Sequence, residues 1–471
     1  MKNIISKAGL SGAIMALSLT SAWTLPLNLP KAPKLEFNPP RGERVVLENG
    51  LIVYLLKDPT LPAIRINAIV RTGSVYDPAD KVGLGSLTAG MLDAGGSAAY
   101  KADEIDKTLE YLGASISSSM DAEYASMSMF ALKKDLDKVL DIYADSLMNP
   151  AFEADKFEIL KKSSLEMIRR RNDDPGRAVM REALRNYYGK DHPYGRRTEA
   201  PGIEAITAQD MKAYHAAYYR PNNILLSVSG DYGSDEEILA KLKAKFGAWQ
   251  KGEVKFPAIP APAPAAGRQV YLVDKEIAQA FIVIVQKGIQ RPDPIEIPFS
   301  LTNDVLGAPG LSSRLVDTVR SRKGLAYTVY SYYSRRNAHP GHIYAYCGTK
   351  PETYSQALEE ILKQLKLAKT EKLTAEELAE ARQAKVNSFV FDFKTPLDIV
   401  FQRALLEHFG FKPDYLETYV GNVTAVTPDS AFEAASRLYD PDNAMIFVIG
   451  NSKKFDKPLS EFGPVTELKE D

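Results

Sequence analysis

AYYRPNNILLSVSGD (217–231) and RLYDPDNAMIFVIGN (437–451) are one passage written twice. Each leaves a helical pattern on a tyrosine, turns through proline and asparagine, runs on as an apolar strand and stops near a glycine. Pro221 answers Pro441 and Thr207 answers Thr427 at one common offset. An echo of that length and spacing marks a duplication, so the chain reads as two copies of one fold. Working back from the first passage, residues 45–47 and 51–56 flank Asn49-Gly50, a hairpin signal of the type I′ kind. A strand pattern comes next at 63–71, then helices at 84–93 and 102–112, strands at 115–119 and 124–132, and helices at 136–147, 153–171, 176–188 and 208–219. Strands and helices mixed in this way predict an α+β fold, an antiparallel sheet covered by helices in each copy. Residues 251–268 are rich in proline and alanine and read as a semi-stiff linker. The expected organisation is a first repeat at 44–250, the linker, a second repeat at 269–460 and a tail at 461–471, the two lobes forming a clamshell.

With 471 residues the chain exceeds one ordinary core. Fifty-nine basic residues stand against sixty acidic ones, a net charge of -1, so nothing global draws it to nucleic acid or an anionic membrane. The one cysteine, Cys347, excludes an intrachain disulfide and lies in an alternating run, where a buried structural thiol is expected. At the front, Lys2 and Lys7 precede an apolar stretch at 8–19 that ends in Thr20, Ser21 and Ala22. This is the pattern of a secretory signal peptide, 1–22, succeeded by a proline-rich extended lead-in at 23–43. The apolar run is short for a membrane span. Export to the periplasm, with no span left after signal removal, is the expectation.

The chain contains no H-E-x-x-H or H-x-x-E-H, no phosphate-binding G-x-x-x-x-G-K-[ST] and no G-x-S-x-G. His339-Pro340-Gly341-His342 has a metal-like interval but sits in a turn without a companion carboxylate. Chemistry gathers instead at 310–333, GLSSRLVDTVRSRKGLAYTVYSYY. Leu311, Leu315, Val316 and Val319 recur on one helical face, and Gly324 comes after basic residues as a C-terminal cap. Beyond it the period becomes two, with Tyr327, Val329, Ser331 and Tyr333 facing one way. Arg320 and Tyr327 thus meet across a tight turn, where a guanidinium and a phenol can both donate to a peptide carbonyl. Taken alone, the two read first as a solvated helix-end charge and half-buried sheet filling.

LENGLIVYLL, RTGSVYDPADKVGLGSLTAGML, the DDP of 173–175, HPYG (192–195), YYRPNNILLSVSGD and, most specifically, LSSRLVDTVRSRKGLAYTVYS resemble the insulinase/pitrilysin-type zinc peptidases, particularly their shorter processing-peptidase-like branch. That family carries H-x-x-E-H on the helix beginning near Leu84. Aligned on Val82, Gly83 and Leu84 and on Met91 and Leu92, its histidines fall at Ser86 and Gly90 and its catalytic glutamate at Ala89. Its third ligand, a glutamate, matches Glu166. One carboxylate does not hold zinc where a catalytic site takes about three protein ligands. The resemblance therefore implies that this chain binds no cofactor and has lost its general base. The family's arginine–tyrosine pair matches Arg320 and Tyr327, the arginine associated with the substrate backbone and the tyrosine with the oxyanion. Some bacterial members divide these parts between two polypeptides, and this chain resembles the one that keeps the pair. The resemblance thus implies a non-catalytic, substrate-binding subunit of a periplasmic heterodimer. Zinc is then expected on a homologous H-x-x-E-H partner, with unstructured peptides as substrates. The alternative is an inert peptide-binding or structural scaffold of the same fold, against which retention of both Arg320 and Tyr327 argues.

Overall fold

The two echoed passages become the central strands of two sheets. The computed structural model describes residues 38–263, 267–308 and 312–469, within one unit spanning 37–471. The signal-peptide pattern, the lead-in up to residue 37, Gly310 and Leu311 lie outside the described residues. In the first half, β1 (Glu43–Val46), β2 (Ile52–Lys57), β3 (Ala63–Val70), β4 (Ser115–Met120), β5 (Ala125–Leu132) and β6 (Ile224–Gly230) form a sheet ordered β1-β2-β6-β3-β5-β4. The second half supplies β7 (Gln269–Asp274), β8 (Ala280–Lys287), β9 (Ile289–Gln290), β10 (Ala326–Tyr333), β11 (Arg335–Arg336), β12 (His342–Thr349), β13 (Met445–Gly450) and β14 (Val465–Glu467). Six of these form the order β10-β12-β8-β13-β7-β14, while β9 and β11 make a short parallel ladder. Read from opposite ends the two orders correspond, β6 with β13 at the centre and β4 with β10 at the edge. Most pairs are antiparallel. The central returns β6 on β2 and β13 on β7 are parallel, because each arrives after a long helical excursion rather than a hairpin.

At the first hairpin only Gly50 has a positive φ, +87°, so the turn is not type I′. The Gly50 amide donates to the Leu47 carbonyl (2.8 Å) and the Leu47 amide to the Leu51 carbonyl (2.9 Å), a longer loop closed by a glycine bulge. Asn49 is used differently: its side-chain amide donates to the carbonyls of Phe246 and Trp249. That contact fixes the hairpin against the end of the helix Asp235–Phe246.

Each sheet has one face covered by helices of its own half and the other by a helix from the opposite half. The helix Pro396–His408 lies on β2, β3 and β6, with Val400 and Ala404 buried against Tyr54, Ile69 and Leu225. The helix Pro175–Tyr188 lies on β8 and β13, with Ala178, Val179 and Ala183 against Val283, Val285, Phe447 and Ile449. Both start alike, with proline in the first turn behind a side-chain cap. Asp174 accepts from the amides of Gly176 and Arg177, and Thr395 from that of Asp398. This exchange explains why β6 is buried at every residue. Ile224, Leu226 and Val228 enter the first core, Leu225 meets the visiting helix, and the Ser227 hydroxyl donates to the Val400 carbonyl at 3.1 Å.

Further ties cross between the halves. Glu123, from the β4–β5 turn, is buried and accepts from Arg291 (2.5 Å), the Tyr194 hydroxyl (2.6 Å) and the Asn337 amide (2.7 Å). Its carbonyl accepts from His408 Nε2 at 3.0 Å. The linker is held as well. His192, whose Nδ1 accepts from the Tyr194 amide, donates through Nε2 to the Pro260 carbonyl, and His339 contacts the Ile259 carbonyl at 2.7 Å. His342 instead packs against Tyr188 and Ser334, so the two histidines of the HPGH turn serve separate structural contacts. Cys347 is buried on β12, and burial pushes its thiol up to about 12.

Candidate functional site

The stretch after Ser313 winds as a wide π-helix over Val316–Arg322, a form that recurs at functional sites. Val316 and Val319 fix its buried face. It ends at Gly324, whose φ of +63° is left-handed. The Gly324 amide donates to the Arg320 carbonyl (3.1 Å) and the Leu325 amide to that of Val319 (2.9 Å). The Thr349 hydroxyl then holds the Leu325 carbonyl at 2.6 Å, anchoring the entry into β10. Strand pairing shifts between Ala326, opposite Thr349, and Thr328, opposite Gly348, which leaves Tyr327 as the extra residue of a bulge. Here the sequence period misleads. From Val329 onward the alternation holds, with Val329 and Ser331 buried, but Tyr327 does not join them. The bulge turns it outward, 79% exposed, under the Arg320 guanidinium, whose carbon lies 5.2 Å from the ring centroid.

The neighbouring cations are all engaged. Arg314 makes two 2.7 Å bonds to Glu377, Arg322 bonds Asp317 at 3.1 Å, and Lys323 reaches Glu360 at 2.7 Å. The Arg320 side chain has no carboxylate or hydrogen-bond partner among the described residues, only the Tyr327 ring. Its five N–H donors and the phenol are therefore available to a ligand from one exposed corner of the sheet edge.

Ser86, Ala89 and Gly90, where the resemblance sets the family's zinc motif, lie on the helix Leu84–Ala94, which is tightly set at its start. Asp77 accepts from the amides of Gly83 (2.7 Å) and Gly85 (2.8 Å), and burial raises its carboxyl to about 6. Ser86 is exposed, Ala89 is fully buried, and a Cβ on Gly90 would meet Leu160 at 3.0 Å. Glu166, on the helix Ala154–Arg169, is committed to Arg169 through bonds of 2.9 and 2.8 Å, which hold its carboxyl below the ordinary value. A hydroxyl, a methyl group, a glycine and one paired carboxylate do not make a zinc donor set. Among the described residues no three His, Cys, Asp or Glu side chains converge as a metal site. The Glu123 contacts and an arginine-lined cavity beside Tyr330 leave no signal in the sequence, since their residues come from segments far apart with no shared spacing.

A family profile described as Insulinase (Peptidase family M16) matches residues 52–202, and one described as the Peptidase M16 inactive domain matches residues 205–385. Together they take in most of the chain. It belongs to the insulinase family of peptidases. Among relatives in this family, the uncharacterized zinc protease YmxG of Bacillus subtilis is 24% identical over 86% of this chain and 98% of its own. An uncharacterized zinc protease of Streptomyces coelicolor is 26% identical over 59% of this chain and 61% of its own. The crystal structure of a peptidase M16 inactive domain from Pseudomonas fluorescens superimposes with a TM-score of 0.80 at 25% identity, covering 88% of this chain and 99% of that one. The periplasmic protease PqqL of Escherichia coli shares the fold at a TM-score of 0.73 and 15% identity. This match covers 92% of this chain but 49% of PqqL. The two-sheet, two-repeat α+β architecture is thus the insulinase-family fold.

Proposed function

We propose that this chain is the non-catalytic, substrate-binding subunit of a periplasmic heterodimeric zinc peptidase of the insulinase type. The observation that carries the reading is Arg320, the one unpaired cation on its stretch among the described residues, set over the bulge-exposed Tyr327. In the proposed complex, zinc and the general base belong to an H-x-x-E-H-bearing homologue. This chain's guanidinium holds a backbone carbonyl of an unstructured peptide. Its phenol donates to the carbonyl oxygen that gains negative charge during attack. The match to a family profile described as an inactive domain supports the same division of labour.

The test is reconstitution with an H-x-x-E-H-bearing relative and a fluorogenic, unstructured peptide. This chain alone should leave the peptide uncut, and the mixture should cleave it. Tyr327→Phe should lower kcat roughly 10²-fold, as loss of one oxyanion donor does, without disturbing packing at so exposed a ring. Arg320→Ala should raise KM as well, because a guanidinium also holds the ground state. Arg322→Ala is the charge control; Arg314 is unsuitable, since its bonds to Glu377 brace the start of the helix Ala375–Phe391. Variant mixtures that form the heterodimer and cleave as fast as wild type would sink the shared-site reading in favour of a scaffold.

A further inference from the structure

A cavity of about 500 Å³ opens between the exchanged helix Pro175–Tyr188 and the outward face of β10 and β12. Its aromatic wall is Tyr330, Tyr344 and Tyr346, with the Tyr330 and Tyr346 rings stacked at 5.2 Å. The opposite wall carries five arginines and one aspartate, Asp174. Three of those arginines are engaged by carboxylates: Arg177 by Asp174 (3.4 Å), Arg185 by Glu199 (3.5 Å) and Arg197 by Glu182 (2.9 Å). Arg181 and Arg196 are not. Arg181 donates to the Arg171 carbonyl (2.9 Å) and the Asn172 side chain, and Arg196 to the Val75 carbonyl (3.2 Å). The Nε of each is buried without an acceptor among the described residues. Asp77 and Asp191 act on Arg196 from nearby without a hydrogen bond to it, and the two Asp77 oxygens accept from the amides of Gly83 and Gly85. Burial pulls both guanidinium groups below their ordinary value; at Arg181 the attraction of Glu182 and Glu199 is opposed by repulsion from Arg171 and Arg197. Two guanidinium groups that bond no carboxylate among the described residues, on the wall of one roomy, aromatic-lined space, describe a receptor for an anion attached to an apolar stem.

The position joins this cavity to the proposed site. Tyr330 stands three residues along β10 from Tyr327, about 10 Å in an extended strand, so an extended peptide reaches both with residues about three apart. Resting on the reading of this chain as a peptide-binding subunit, we infer that the cavity selects a carboxylate-bearing residue of the bound peptide, gripped by Arg181 and Arg196. The carboxylate is either an Asp or Glu side chain or the peptide's free C-terminus.

Binding to the full chain alone decides it, by anisotropy of an unstructured peptide carrying a neutral dye and one glutamate. Its comparators are the Glu-to-Gln peptide and the C-terminally amidated peptide. Loss of the engaged carboxylate should weaken binding roughly tenfold, the size expected for a charge-assisted contact. Arg181→Gln or Arg196→Gln should erase that difference between peptides. Sensitivity to the Gln change assigns the side chain as the ligand; sensitivity to amidation assigns the terminus. Because the peptides are compared on the unaltered protein, a variant that misfolds does not blunt the result. If all three peptides bind alike and Arg320→Ala still weakens them, the cavity assignment is wrong while the subunit reading stands. If no peptide binds, both fall.

Discussion

Replacing Glu123 by Gln tests whether the two halves are held by a buried charge. The carboxylate is 7% exposed and its partner Arg291 14% exposed, while the Arg291 guanidinium carbon also lies 3.2 Å from the centroid of the Phe409 ring. Glutamine keeps the volume and one oxygen, which can still accept from Tyr194 or the Asn337 amide. It withdraws the countercharge. Removing one partner of a buried pair costs about 3–5 kcal/mol, because the other charge is stranded. The retained oxygen and the ring face place this substitution at the lower end, about 3 kcal/mol. For a unit of this size that is a shift of about 3 °C in Tm, from a per-residue unfolding entropy of about 2.1 cal/mol/K. Calorimetry and urea unfolding monitored by circular dichroism should read it. A cycle with Arg291→Met supplies the sharper test: the double variant should be less destabilised than the two single losses combined, with coupling above about 1 kcal/mol. Additive losses, or an E123Q midpoint equal to wild type, would show that the pair does not hold the halves together.

Elemental analysis of the dialysed protein should find no stoichiometric zinc, if Ser86, Ala89 and Gly90 stand where the resemblance sets the ligands and base; one tightly held zinc per chain would overturn the reading. Acid should destabilise the fold below about pH 6.5. Burial lowers His215 to about 4, His342 to about 3 and His408 to about 4, so stability is complete above the unfolded value of 6.5 and is lost as pH falls toward those values. At pH 5 each imidazole costs about 2 kcal/mol, while Asp77 and Asp93, both raised to about 6 by burial, each return about 1 kcal/mol. A melting temperature that is flat or rises between pH 7 and 5 contradicts this balance. Mass spectrometry of a periplasmic fraction should find a mature chain beginning near Trp23, and a cytoplasmic chain retaining Met1 would refute export.

The duplication is legible because its clearest copy falls on the central strands, where burial on both faces demands unbroken apolar residues such as those of β6. Gly324 is legible for a similar reason, since few other residues tolerate its φ. Tyr327 is only half legible. Its pairing with Arg320 comes from spacing, but a bulge leaves no mark on a period of two, so the alternation assigns it to the wrong face. The helix exchange is invisible. The helical pattern at 176–188 says that one face is buried, and nothing in it says against which sheet. The same blindness hides Glu123 and the arginine cavity, where each residue is ordinary until distant segments are brought together.

The exchanged helices carry a consequence for the origin of the chain. A protein holding one copy of the repeat would leave the far face of its sheet bare, because the helix that covers it belongs to the other copy. Such a protein could bury that face only by pairing with its twin and trading helices, an isologous swapped dimer. Joining two such genes end to end would then have altered little in the architecture and much in its freedom. Copies joined in one chain need no longer remain identical.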